Sequence, residues 1–97
     1  MLVALQRFDL RIRDSRSLKQ KRHVVKALIA ALRQRFNVSV SEVDHQDLWQ
    51  RATIAVASVS GQEYHLRRVA SEIEDLVDTW PAVEVLAVEV TVHAPDD

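Results

Sequence analysis

Cysteine is missing from the chain altogether, and glycine occurs once, as Gly61. The lack of cysteine excludes a disulfide scaffold, a thiolate zinc site and a cysteine nucleophile, and it fits a reducing compartment. Long apolar runs are missing too. The N-terminus offers only the five residues Met1 to Leu5 before Arg7, and the longest helical apolar run is Ala27 to Leu32. Both fall far short of the roughly 20 residues needed to span a bilayer. The expectation is a cytoplasmic protein with no membrane role.

What is present is the composition of an ordinary globular protein, with 47% hydrophobic and 28% charged residues. At 97 residues the chain is long enough for one core and one domain, taken as residues 1–97. The net charge of −1 conceals a sharp segregation. Residues 1–35 hold ten Lys and Arg against two acids, while residues 36–97 hold three against twelve. In a neutral chain this suggests a basic face for an anionic partner, or two patches that meet in self-association.

Hydrophobic periodicity gives the order of elements. Phe8, Leu10 and Ile12 alternate with Arg7, Asp9, Arg11 and Arg13, the period of a half-buried strand over about residues 2–13. Val3 and Leu5 put apolar surface on its polar side. The recurrence of Leu18, Lys21, Val25, Leu28 and Leu32 then marks a helix over about residues 18–36, opened by a capping box of Ser17 and Gln20. Alternation returns in Val38 and Val40 and again in "RATIAVASVS", so two strands flank the polar stretch "SEVDHQDLWQRA" as a hairpin. A second capping box, Ser60 with Glu63, precedes a helix marked by Leu66, Val69, Ile73, Leu76 and Trp80 and ended by Pro81. The last strand is "VEVLAVEVTV". It is read with Leu86, Val88, Val90 and Val92 on one face and Val83, Val85 and Ala87 on the other.

The resulting order, β-α-β-β-α-β, consists of two right-handed strand-helix-strand units joined by a hairpin. The fold expected is an α+β ferredoxin-like sandwich, a four-stranded antiparallel sheet with both helices on one face. The other face, with Val3, Leu5, Arg7, Arg11, Glu89 and Thr91, is left open, and an uncovered apolar sheet face points to homodimerisation.

Candidate sites divide the chain's chemistry. Asp44, His45 and Asp47 could donate to a metal, but no second histidine stands at a companion spacing. The stretch therefore reads as the hairpin connection, with Trp49 covering a sheet edge. No serine sits in a nucleophile elbow. Acylphosphatases share this topology, but their phosphate cradle is glycine-rich and the corresponding "RIRDSRSLK" has no glycine. The chain is thus read as non-enzymatic, with no catalytic residues, no metal and no cofactor. The first helix is more informative: from Arg16 to Asn37 there is no acid. Arg13, Arg16, Lys19, Arg22, Lys26 and Arg33 form a candidate footprint for RNA phosphates, with a solvated basic surface as the bland alternative. Val3, Leu5, Asp47 and Trp49 are candidate interaction residues. Stacking of bases on the sheet is not expected, because its central strands offer only Phe8, which the alternation assigns to the core.

Over nearly the whole chain, and most densely over residues 17–60, the sequence resembles the YlxP-like family of small bacterial proteins, a domain of unknown function. The likeness is carried by Ser17, Leu18, Lys19, Lys21 and Arg22, by Arg35 to Val40, by Glu42, and by Asp47 to Ala52. The resemblance implies a ferredoxin-like fold and supplies no catalytic residues or cofactor. The genes of this family often lie beside those for translation initiation and ribosome maturation factors. That association points towards RNA or ribosome contact; a homodimeric protein-interaction module with no nucleic-acid role is the alternative.

Overall fold

The computed structural model describes residues 1–95. Its elements are β1 (Leu2–Ile12), α1 (Leu18–Arg35), β2 (Ser39–Asp44), β3 (Arg51–Ser60), α2 (Glu63–Asp78) and β4 (Val83–His93). The strands form one antiparallel sheet in the order β2-β3-β1-β4. α1 lies over the β2 side, and α2 lies over β1, β3 and β4. This is the ferredoxin-like α+β sandwich expected from the periodicity.

Alternation along each strand sends one set of side chains under the helices. Phe8, Leu10, Ile12, Val40, Ala52, Ile54, Val56 and Val83 meet Val25, Leu28, Leu32, Ile73 and Val77 in one core. Each large apolar side chain buried there contributes about 1.5–3 kcal/mol. One polar group enters the same layer from β1: buried Gln6 donates from Nε2 to the Ala70 carbonyl at 2.8 Å, so α2 is held to the sheet by a hydrogen bond as well as by packing.

Two bulges modify the expected faces. On β4 the register with β1 passes from Ala87 opposite Asp9 to Val85 opposite Leu10, leaving Leu86 unpaired. That extra residue turns Val83 and Val85 to the core side, where Val83 is 2% exposed, and leaves Leu86 in solvent. The assignment of Val83 and Val85 to the open face is therefore corrected: a bulge inverts the alternation beyond it. On β2 the pairing with β3 passes from Glu42 opposite Ile54 to Asp44 opposite Thr53, and Val43 is the residue left over. Both bulges lie on edge strands, and both leave a hydrophobic side chain exposed.

The helix starts also differ. Ser17 caps α1 as expected, its Oγ accepting the Gln20 N–H at 3.1 Å, while Gln20 Oε1 accepts the Arg16 N–H. α2 has no such box. Its N-cap is Gln62, with no side-chain cap, and Ser60 Oγ instead accepts the Gln62 N–H. With Ser60 two residues before the cap, its hydroxyl closes a turn before the helix begins. Only one glycine is present, so the left-handed turn positions fall to Asp14, His45 and Ala82, at φ 59°, 60° and 66°.

Candidate nucleic-acid interface

One end of the molecule gathers the functional candidates. Here β1 ends, α1 begins, and the hairpin connection 45–50 crosses between them. Backbone bonds tie these parts together: Ile12 N–H donates to the Gln50 carbonyl at 2.9 Å and Arg13 N–H to the Ala82 carbonyl at 2.8 Å. Gln50 Nε2 donates to the Ser15 carbonyl at 3.0 Å, fastening the hairpin to the turn before α1.

The organising group is Lys21, which sequence reasoning counted among the basic residues of α1. It is 0% exposed. Its ammonium donates to Glu42 Oε2 at 3.0 Å and to the carbonyls of His45 at 2.8 Å, Gln46 at 3.0 Å and Arg51 at 3.3 Å. An ammonium has three protons, so four acceptors saturate it and the longest contact is shared. Burying a charge is costly unless it is paired and fully hydrogen-bonded, and here both conditions hold. Glu42 lies on the helix side by alternation with Val40, and the β2 bulge just beyond it turns Asp44 to the open side. The signal was in the sequence, since Lys21 stands in the apolar stripe between Leu18 and Val25.

The opposite side of the hairpin is held by a chain that sequence reasoning missed. Thr53, 0% exposed, donates from Oγ1 to Asp9 Oδ1 at 2.7 Å. With its one proton committed, Thr53 Oγ1 accepts from His45 Nδ1 at 2.9 Å, which makes Nδ1 the protonated ring nitrogen. Asp44 Oδ1 accepts the His45 N–H at 2.8 Å. Asp44, His45 and Asp47 thus do not converge, and no group of three metal-ligating side chains exists among the described residues. The polar stretch is a hairpin connection clamped from both sides. Trp49, expected to cover a sheet edge, leaves more than half of its surface in solvent: it is 55% exposed, beside Leu48 at 48%. Asp47 is exposed on the same loop.

The basic candidates separate into two groups. Arg13, Arg16, Lys19, Arg22 and Lys26 are exposed, and none of their side chains has an ion pair or hydrogen bond among the described residues. At 100° per residue, Lys19, Arg22 and Lys26 fall within one sector of α1, and His23 beside them completes the row. With Ser17 and Gln20 they border a shallow depression of about 1030 Å³. It lies along a single helix, so it offers an open track rather than an enclosure for a small molecule. Arg33 falls in the same sector but has a partner. Its Nη2 donates to the Val40 carbonyl at 2.6 Å, capping the outward edge of β2, and Arg35 stacks over Phe36 at 5.7 Å. Arg33 is exposed and keeps further donors free of that bond, so it stays a candidate at the far end of the footprint.

On the open sheet face, Val3 is half-buried and Leu5 is 46% exposed, with Val59 opposite Val3 at 64%. Charge pairs there are loose: Arg7 to Asp9 at 3.8 Å and Arg11 to Glu84 at 3.9 Å. Phe8 is 0% exposed, so the sheet presents no aromatic platform from its central strands.

Comparison with known proteins now places the chain. Residues 3–90 match the family model described as "Protein of unknown function (DUF503)". The chain belongs to this family. It is also 36% identical over 73 residues to the uncharacterized protein YlxP of Bacillus subtilis (strain 168), covering 75% of this chain and 79% of that protein. The YlxP-like resemblance over nearly the whole chain is thereby borne out. Among solved structures, the de novo designed protein Foldit4 superposes with a TM-score of 0.55 over 97% of this chain and 98% of its own, at 13% identity. That likeness concerns the fold alone.

Proposed function

We propose that this DUF503 member is a non-enzymatic cytoplasmic domain that contacts structured RNA, on the ribosome or a precursor of it, through phosphates along the outer side of α1. The observation that carries this reading is the row of cations Arg13, Arg16, Lys19, Arg22 and Lys26, unpartnered among the described residues and, from Arg16 onward, on an acid-free segment. A surface that serves only solubility intersperses both signs and pairs them. Arg16 and Lys19 also stand at the positive end of the α1 dipole, where cations weaken a helix. They are therefore placed for something other than helix stability.

Phosphate contacts release counterions, so affinity should fall steeply with salt, with a log–log slope of about −0.7 to −0.9 per contact. The test is RNA binding by wild type and by the triple variant Lys19→Glu, Arg22→Glu, Lys26→Glu, read across salt concentrations. Loss of binding on the order of a hundredfold or more with an unchanged melting temperature supports the reading. Equal binding by both proteins refutes it.

A second reading, a homodimer formed through the open sheet face, is favoured by the exposure of Leu5 and Val59 beside Val3. Sedimentation of wild type and Leu5→Lys tests it. A dimer that becomes monomeric on substitution supports this face, and a monomeric wild type removes it.

A further inference from the structure

The hairpin connection presents a large apolar ring to solvent on a backbone that is firmly held. Trp49 is 55% exposed, yet its loop is fixed at both ends. The carbonyls of His45, Gln46 and Arg51 converge on Lys21, Leu48 N–H donates to the His45 carbonyl, and Gln50 is bonded to Ile12 and Ser15. Ordering this loop for binding therefore costs little further entropy. An exposed indole on a rigid support is the kind of surface that recognition uses.

Its neighbours decide what it recognises. The anchors of the loop lie on the first turns of α1 and on the turn before it, where Arg13, Arg16, Lys19 and Arg22 are exposed and have no side-chain partner among the described residues. An aromatic face beside a cationic track is the combination by which proteins hold unpaired nucleotides, bases on the ring and phosphates on the cations. Asp47, exposed two residues away, repels phosphate, so the tip suits the base rather than the backbone. Tyr64, another exposed aromatic, stands on the first turn of α2 at the opposite end of this 45 Å long molecule.

Resting on the RNA-contact reading, we propose that Trp49 is a stacking platform for an unpaired base of the RNA whose phosphates lie along α1. The ligand class is then narrower than structured RNA in general. It is an RNA with a loop or bulge next to a stem, and the indole would tolerate any base because every base has a π-face.

The experiment uses the full chain with Trp80→Phe, which leaves Trp49 as the sole indole, and two probes. One is an RNA stem-loop with a single-stranded loop of about a dozen nucleotides; the other is the same stem as a fully paired duplex. The stem-loop should quench Trp49 fluorescence and the duplex should not. Trp49→Ala should weaken stem-loop binding by roughly ten- to a hundredfold and leave duplex affinity unchanged, while Trp49→Phe retains most of it. Equal stem-loop affinity in wild type and Trp49→Ala, with binding still abolished by the triple charge reversal, overturns the platform and spares the phosphate reading. Failure of wild type to bind either probe at low salt overturns both. Dissociation of a protein dimer by Trp49→Ala, with RNA affinity unchanged, would make the tip a protein contact and overturn the proposal as well.

Discussion

α1 and α2 cover the same sheet face with similar apolar stripes, yet their outer sides differ in sign. α1 carries six Lys and Arg and no acid; α2 carries Glu63, Glu72, Glu74, Asp75 and Asp78 against Arg67 and Arg68. Glu63 and Arg67 pair at 3.8 Å, one turn apart. Both helices place the unfavourable sign near one end, with Lys19 at the start of α1 and Asp78 at the close of α2. Helix stability therefore does not explain the segregation. The fold requires only the inner stripes, so the outer charges are free to follow function.

Three measurements test this contrast. The largest effect is expected inside α1. Lys21→Met removes the ammonium that satisfies Glu42 and the hairpin carbonyls, and it should cost about 3–5 kcal/mol, the range found when one partner of a buried pair is lost. Thermal unfolding would then shift down by 10 °C or more, on the order of 4–8 °C per kcal/mol for a domain of this size. A Glu42→Gln change added to Lys21→Met should recover part of the loss, and a loss below about 1 kcal/mol would show that Lys21 is not the clamp.

The second measurement sets the helices against each other in binding. Charge reversal on α2, Arg67→Glu with Arg68→Glu, should change RNA affinity less than about threefold, because these residues lie outside the track. An effect matching that of the α1 triple would mean that net charge alone governs binding. The smallest effects concern the caps. Ser17→Ala should cost about 1 kcal/mol of stability, and Gln62→Asp should add about 0.5–1 kcal/mol by giving α2 the cap it lacks. Equal and negligible changes at both positions would remove the distinction between the two helix starts.

Much of this could be read from the chain. The switch from period two at Phe8, Leu10 and Ile12 to helical spacing at Leu18, Val25, Leu28 and Leu32 fixed the order of elements. Alternation cannot place a bulge by itself. Even so, the slip is visible in β4: Val83 and Val85 are in one phase, Val88, Val90 and Val92 in the other, and Leu86 and Ala87 lie between. The site was less legible because its contacts are distant in sequence. Lys21 meets residues 21 to 30 positions away, and Thr53 meets Asp9 across 44. No local pattern encodes either. What local pattern did encode was the acid-free run from Arg16 to Asn37, which the structure divides among cations unpartnered within the described residues, the buried Lys21, and Arg33 and Arg35, each with one partner.

Lys21 also imposes an order on assembly. A helix with an ammonium in its inner stripe cannot settle on the sheet until the groups that receive that charge are in position, and those groups come from a hairpin turned in one register. A hairpin slipped by a residue would move Glu42 to the other face and leave the lysine among hydrocarbon. Correct pairing of β2 with β3 is thus a condition for docking α1, and the wrong register is penalised at the step where the core closes. The cation discriminates between folds as well as stabilising one, rejecting a mispaired sheet that the apolar residues alone would tolerate.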